Sequence, residues 1–286
     1  MILIADGGST KADWILLDKE GNQVLKTRTK GLNPAVFSED LLITRINENE
    51  DLVNYKDKIT NVYFYGAGCG TPKPTALLKA IFESFFKNAE VDVKEDTYAA
   101  TFAVTNEPGL VCILGTGSNS SYFDGENVDC RIPSLGYVVM DEASGNYFGK
   151  KLIRDYFYHK MPSDLAKKFE KDFNLDADTI KRNIYKEPNP NTYLAHFAEF
   201  MLRSERNCYF NKVLHKGMKD FFKNRILPFP ESKHVPVHFV GSIAYFAQDI
   251  IKDVARYHMI KLGNIIQRPI DGLIEYHRKK LKLEQV

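Results

Sequence analysis

Two distant stretches of this chain follow one grammar. Residues 2–17 read as a buried strand (ILIA), a glycine turn (Asp6-Gly7-Gly8-Ser9-Thr10) and a second strand (ADWILL). Residues 110–123 repeat it, with LVCILG, the turn Gly115-Thr116-Gly117-Ser118-Asn119 and SSYF. Identity between the two is low, so the shared order points to an internal duplication of a β-meander opening. The rest of each half supplies strands and helices in alternation. NVYFYGAG (61–68) and VDVKED (91–96) read as strands, and Leu77, Leu78, Ile81, Phe82 and Phe85 fall on one helical face behind Pro72 and Pro74. In the second half, residues 145–227 are helical in pattern. VPVHFVG (235–241) and MIKLGNII (259–266) then read as strands, and residues 269–283 as a basic terminal helix. The expected class is α/β in two domains, 1–108 and 109–286, divided near Pro108-Gly109. The helical region at about 145–227 lies in the second domain, and the last helix is able to return to the first.

Composition narrows the function. With 286 residues, 44% hydrophobic and 27% charged, the chain is long enough to bury a large core without staples. Its 39 basic and 37 acidic residues leave a net charge of +2, which gives no electrostatic support for nucleic-acid or membrane-surface binding. Cys69, Cys112, Cys130 and Cys208 form no CxxC pair and no zinc-finger spacing with histidine, so they read as small buried hydrophobes of a reducing compartment. The opening MILIADGG is too short and too poor in basic residues for a signal peptide, and no run approaches ~18 apolar residues. A cytoplasmic location is expected.

Five segments could carry chemistry, and each has a structural alternative. Asp6-Gly7-Gly8-Ser9-Thr10-Lys11 joins two strands, unlike a Rossmann or Walker loop, which hands over to a helix. Its glycines offer either an ordinary hairpin turn or a backbone nest for phosphate oxygens, with Asp6 able to hold a hydrated Mg²⁺. Thr116, Gly117 and Ser118 offer the same choice. Asp96, at a strand end, is either a helix N-cap or a base for an attacking hydroxyl. Asp141-Glu142 either complements a helix dipole or binds a ligand. Gly241-Ser242 marks a strand-to-helix corner. Gly7, Gly8, Gly66, Gly68, Gly70, Gly115 and Gly117 gather at strand ends, where open sheets bind ligands.

Taken in order, DGGSTKADW, GLNP, YGAGCG, the Asp96-Thr97-Tyr98-Ala99-Ala100 segment, LGTGSNSSYFDG, LGYVVMDEASG and FVGSIA resemble the N-acetylglucosamine kinase and BadF/BadG-type ATPase group. That group lies within the superfamily of sugar kinases, actin and heat-shock chaperone ATPases. The resemblance covers most of the chain and is weakest over 150–230. It implies two ribonuclease-H-like lobes around a nucleotide cleft. It also implies an ATP-dependent kinase acting on the 6-hydroxyl of an amino sugar, N-acetylglucosamine first. Asp96 would be the catalytic base and Asp6 would organise Mg²⁺ through water. Gly8, Ser9, Thr10 and Lys11, Thr116, Gly117 and Ser118, and Gly241 and Ser242 would bind ATP. Asn33, Gly136 and Asp141 would hold the sugar. Ser242 stands where the group often has a second glycine. The zinc-binding cysteine cluster of another sugar-kinase group and the iron–sulfur cysteines of dehydratase activators are both absent. The alternative within the resemblance is a nucleotide-dependent activator or sensor of a partner protein. Related kinases are often dimers, and Tyr156-Phe157-Tyr158 suits either an interface or the core.

Overall fold

The fold is taken from a computed structural model, which describes residues 1–8 and 10–284. Two compact units result, Met1–Ala103 with the C-terminal segment from Arg268, and Val104–Gln267. The division falls before the Pro108-Gly109 boundary read from sequence, and the terminal helix counts with the first unit.

The first unit holds β1 (Ile2–Gly7), β2 (Lys11–Leu17), β3 (Gln23–Lys30), α1 (Glu39–Asn47), α2 (Glu50–Tyr55), β4 (Asn61–Gly66), α3 (Pro72–Phe85), β5 (Glu90–Glu95) and α4 (Asp96–Val104, which ends at the boundary). Its sheet runs β3-β2-β1-β4-β5. The first three strands are an antiparallel meander, and β4 and β5 add in parallel beside β1. One face packs on α1–α3 through Leu42, Leu52, Leu78 and Phe82. Trp14 is fully buried there against Phe64 and Phe82, and its indole N–H donates to Thr29 Oγ1 at 3.0 Å, so the one polar atom of a large apolar residue is satisfied.

The second unit holds β6 (Gly109–Leu114), β7 (Ser118–Phe123), β8 (Val128–Asp129), α5 (Gly145–Phe157), α6 (Ser163–Asp172), α7 (Ala177–Tyr185), α8 (Pro190–Arg203), α9 (Cys208–Phe221), β9 (Val237–Val240), α10 (Ser242–Phe246), α11 (Gln248–Tyr257) and β10 (Leu262–Ile266). Its sheet runs β10-β9-β6-β7-β8. Read from its first strand outward, this is the order of the first sheet, with an antiparallel meander on one side and two parallel additions on the other. The repeated grammar of the sequence thus corresponds to one topology used twice. Helices α5–α9 share a large aromatic core in which Phe148, Phe169, Phe197 and Phe210 are buried.

The last helix, α12 (Pro269–Glu284), belongs to the first unit because its apolar side fills the other face of that sheet. Ile270 and Leu273 are buried among Ile2, Ile4, Ile15 and Leu17. Arg278 Nε donates to the carbonyl of Gly21 at 2.7 Å, and the Tyr65 hydroxyl and His277 Nε2 lie 3.0 Å apart in a buried hydrogen bond.

Candidate active site

In the first unit the predicted residues gather at the C-terminal ends of three parallel strands. Register sets Gly7 of β1 opposite Gly66 of β4, and Gly66 opposite Glu95 of β5. Asp6 and Asp96 flank this row. The glycines at its centre have a packing cause: a Cβ on Gly7 or on Gly66 would lie 2.3 Å from the Phe64 ring. Gly8 differs, since a Cβ there would meet nothing closer than the Lys11 carbonyl at 3.6 Å. Its N–H already donates to that carbonyl at 2.8 Å, closing the hairpin. Thr10 and Lys11 are exposed, Lys11 Nζ lies 3.8 Å from Asp13, and Ser9 falls outside the described residues.

Asn33 is buried next to the loop that follows β4. Its Oδ1 accepts from the Ala35 N–H at 2.9 Å, and a Cβ on Gly68 (φ +83°) would come within 2.0 Å of that oxygen. GLNP and YGAGCG, read as separate motifs, are therefore packed against each other. The same loop reaches Glu95, whose Oε1 would lie 2.7 Å from a Cβ on Gly70. Asp96 opens α4 and is only partly exposed. The neighbouring Thr97 backbone N–H favours its charged form.

Electrostatics separate the carboxylates. Burial, with the negative charges of Glu95 and Asp6, pushes Asp96 up from 3.8 to about 7. Burial and the charge of Asp13 push Asp6 up to about 6, against the pull of Lys11 and Arg268. Asp13 goes the other way. Burial alone would raise it, but the Arg28 hydrogen bond at 2.6 Å and the charges of Lys11, Arg28 and Arg268 hold it below the ordinary aspartate range. The buried carboxylate, Asp13, is thus held in its charged form by cations, while the two half-buried ones, Asp6 and Asp96, are pushed up toward neutral pH. A strand-end carboxyl with a pKa near 7 is suited to take a proton from a hydroxyl. Among the described residues no group of three or more His, Cys, Asp or Glu is arranged to hold a metal directly. Two raised carboxylates do suit a magnesium ion that keeps its waters and is shared with phosphates, because such an ion needs only one or two of them and relieves their repulsion.

In the second unit the turn between β6 and β7 is tied to the start of α5. The N–H groups of Gly145 and Asn146 donate to the carbonyls of Gly115 (2.8 Å) and Thr116 (3.0 Å). Ser144 caps the helix by accepting from the Tyr147 N–H at 3.2 Å. Asp141, with φ +70°, is buried beside this turn. Its Oδ1 accepts from the Ser118 N–H at 3.3 Å and its Oδ2 from Asn146 Nδ2 at 2.7 Å. A Cβ on Gly117 would lie 2.9 Å from Asp141 Oδ2. The resemblance assigns Asp141 to the sugar; the fold packs it against the glycine turn between β6 and β7. Gly136 (φ +77°) opens a turn that leaves Val138 77% and Val139 71% exposed, with the Tyr137 carbonyl accepting from Lys150 Nζ.

Gly241 has φ +122°, and a Cβ there would stand 2.3 Å from the Leu114 carbonyl, so only glycine lets β9 turn into α10 against β6. A cavity of about 440 Å³ opens beside this corner, lined by Gly115, Thr116, Ser242 and the α8 residues Tyr193, His196 and Glu199. Its size and its wall of ring, hydroxyl and backbone groups suit a nucleoside. Sequence joined Thr116 to Ser242 only through the resemblance and missed α8, whose contribution carries no motif. It also missed Asp13, Glu95 and Arg268.

No protein-family model matches the chain. Among solved structures, a Porphyromonas gingivalis protein provisionally designated an N-acetylglucosamine kinase is 32% identical, with a TM-score of 0.91 over 98% of this chain and 99% of that one. A Streptomyces griseus ROK-family glucokinase, solved with glucose and AMPPNP, shares the fold at 14% identity and a TM-score of 0.58, covering 96% of this chain and 97% of that one. Among curated proteins, the N-acetyl-D-glucosamine kinase of Dictyostelium discoideum is 26% identical over 164 residues, 52% of this chain and 51% of that protein. The chain thus spans about half the length of the curated relative it matches. No helix among the described residues is long and apolar enough to cross a membrane.

Proposed function

The chain belongs to the N-acetylglucosamine kinase family of sugar kinases with the actin-like ATPase fold, and we propose that it transfers the γ-phosphoryl group of ATP to the 6-hydroxyl of an amino sugar, N-acetylglucosamine first. The observation that carries this reading is Asp96, a strand-end carboxyl held near pH 7 by burial and by Glu95 and Asp6. Phosphoryl transfer asks the protein mainly for alignment and charge stabilisation. Asp96 accepts a hydrogen bond from the sugar hydroxyl and takes its proton as the oxygen attacks phosphorus and ADP leaves. Asn33, Gly136 and Asp141 orient the ring. Gly8 and Thr10, with Thr116, Gly117 and Ser118, contact the phosphates, and Gly241 and Ser242 border the nucleoside in the cavity on α8. Magnesium, held through water by Asp6, would supply charge neutralisation at the phosphates. The protein works as a cytoplasmic enzyme.

The test is ATP turnover in a coupled assay with N-acetylglucosamine, glucosamine, N-acetylmuramic acid or glucose, each against no sugar. Strong stimulation by one amino sugar is expected. Hydrolysis that ignores every sugar would refute the kinase and favour a nucleotide-driven activator.

A further inference from the structure

Asn146 is the second residue of α5 and has no solvent-exposed surface. Its side-chain amide donates two hydrogen bonds, to the Thr116 carbonyl at 2.8 Å and to Asp141 Oδ2 at 2.7 Å. Its backbone N–H donates to the same Thr116 carbonyl at 3.0 Å. Both side-chain partners are pure acceptors, which fixes the amide: only the NH₂ end satisfies them, and the flipped orientation would set oxygen against oxygen twice. Asp141 closes the ring by accepting from the Ser118 N–H at 3.3 Å. The ring therefore runs from Thr116 to Asn146, to Asp141, to Ser118, with both ends in the glycine turn. Nothing in the sequence marks Asn146, and no motif reading includes it.

A carboxylate has about four acceptor directions. Asn146 and Ser118 occupy two of those on Asp141, one on each oxygen, which leaves two for donors from a ligand. Two further buried polar atoms, Asn146 Oδ1 and Ser118 Oγ, have no hydrogen-bond partner among the described residues. Both lie in the same buried ring as the half-used carboxylate.

We propose that Asn146 is a positioning residue that locks the phosphate turn Thr116–Ser118 and the sugar-orienting Asp141 into one rigid element, so that nucleotide and sugar are registered by a single amide. This rests on the kinase reading for the role of Asp141, but the clamp itself is readable without it.

The decisive variant is Asn146→Asp, nearly isosteric but with no donor once ionised, so it places two carboxylates in contact. Asn146→Ala removes both donors and serves as the comparison. Losing hydrogen bonds to a charged group and to a turn carbonyl should weaken AMPPNP binding about ten- to hundredfold in Asn146→Ala by calorimetry, and should raise the KM of the amino sugar by a similar factor. In wild type, kcat/KM for the sugar should rise through about pH 7 as Asp96 ionises, then level off. In Asn146→Asp it should turn down again above neutrality, because the paired carboxyls lose their shared proton, a limb that general destabilisation would not create. AMPPNP affinity within about threefold of wild type in Asn146→Ala, where a lost charged hydrogen bond predicts more, overturns the clamp. So does an Asn146→Asp profile that runs parallel to wild type from mildly acidic to mildly alkaline pH. If wild type is stimulated by no sugar, the kinase reading falls, while AMPPNP binding still decides the role of Asn146.

Discussion

Replacing Asp96 with asparagine should slow the enzyme and stabilise the protein together, and the second effect follows from the first cause. Desolvation and the charges of Glu95 and Asp6 lift the Asp96 carboxyl from 3.8 to about 7. Because the folded value exceeds the unfolded one, the native state binds more protons between those values. Stability is therefore lost as pH rises from about 4 through 7. Fully ionised, the group costs about 4 kcal/mol at most. Asp96 is partly exposed, so about half of that is a fairer figure after solvent screening. The amide that replaces the carboxyl bears no charge at any of these pH values, so Asp96→Asn should raise Tm by about 4–8 °C at pH 8. The difference should vanish near pH 4, where the carboxyl is largely protonated in the folded chain and the unfolded chain no longer gains from ionising it. The same substitution removes the base and should lower kcat by about 10²–10⁴-fold with little effect on ATP binding. Wild-type kcat should rise about tenfold from pH 6 to a plateau above pH 7. Thermal melts at pH 4 and 8 and steady-state kinetics in the coupled assay measure all of this. A Tm that falls at pH 8, or a kcat within about tenfold of wild type, would show that Asp96 is not the strained base described here.

Two backbone predictions are read first in unfolding. Gly241→Ala forces a side chain into φ +122° and against the Leu114 carbonyl; it should cost about 1–3 kcal/mol in urea melts and raise the KM of ATP, and an unchanged melt would refute it. Gly7→Ala drives a methyl into the Phe64 ring and should destabilise by about 1–3 kcal/mol. Adding Phe64→Leu should recover part of that loss, so a double-mutant cycle with strictly additive terms would show that the ring is not the obstacle.

The elements easiest to read were those whose chemistry is local. Glycine turns between apolar runs announced both meanders, and the repeated order anticipated two sheets of like topology. The reasons behind the glycines were less visible. Gly7 and Gly66 answer to Phe64, a contact made by strand pairing, whereas a Cβ on Gly8 would only touch the Lys11 carbonyl at 3.6 Å. Asp13 is one aspartate among many until β3 brings Arg28 opposite it and the approach to α12 delivers Arg268 from far along the chain. Tyr193 and His196 reach the cavity beside Gly115 and Ser242 from a helix whose periodicity reports only its buried side. Asn146 is silent for the same reason: one amide on an amphipathic helix carries no pattern, and its meaning lies in two acceptors brought to it by folding.

The return of α12 to β1 bears on how the protein is made. The Ile2–Ile4 face of β1 is covered by Ile270 and Leu273 of α12 together with Ala99 of α4, so its cover stays incomplete until the α12 residues have left the ribosome. The intervening unit, Val104–Gln267, has every strand and core helix it needs before then. Synthesis therefore favours completion from the middle outward, with the nascent first sheet waiting as a half-covered, chaperone-accessible layer for its closing helix.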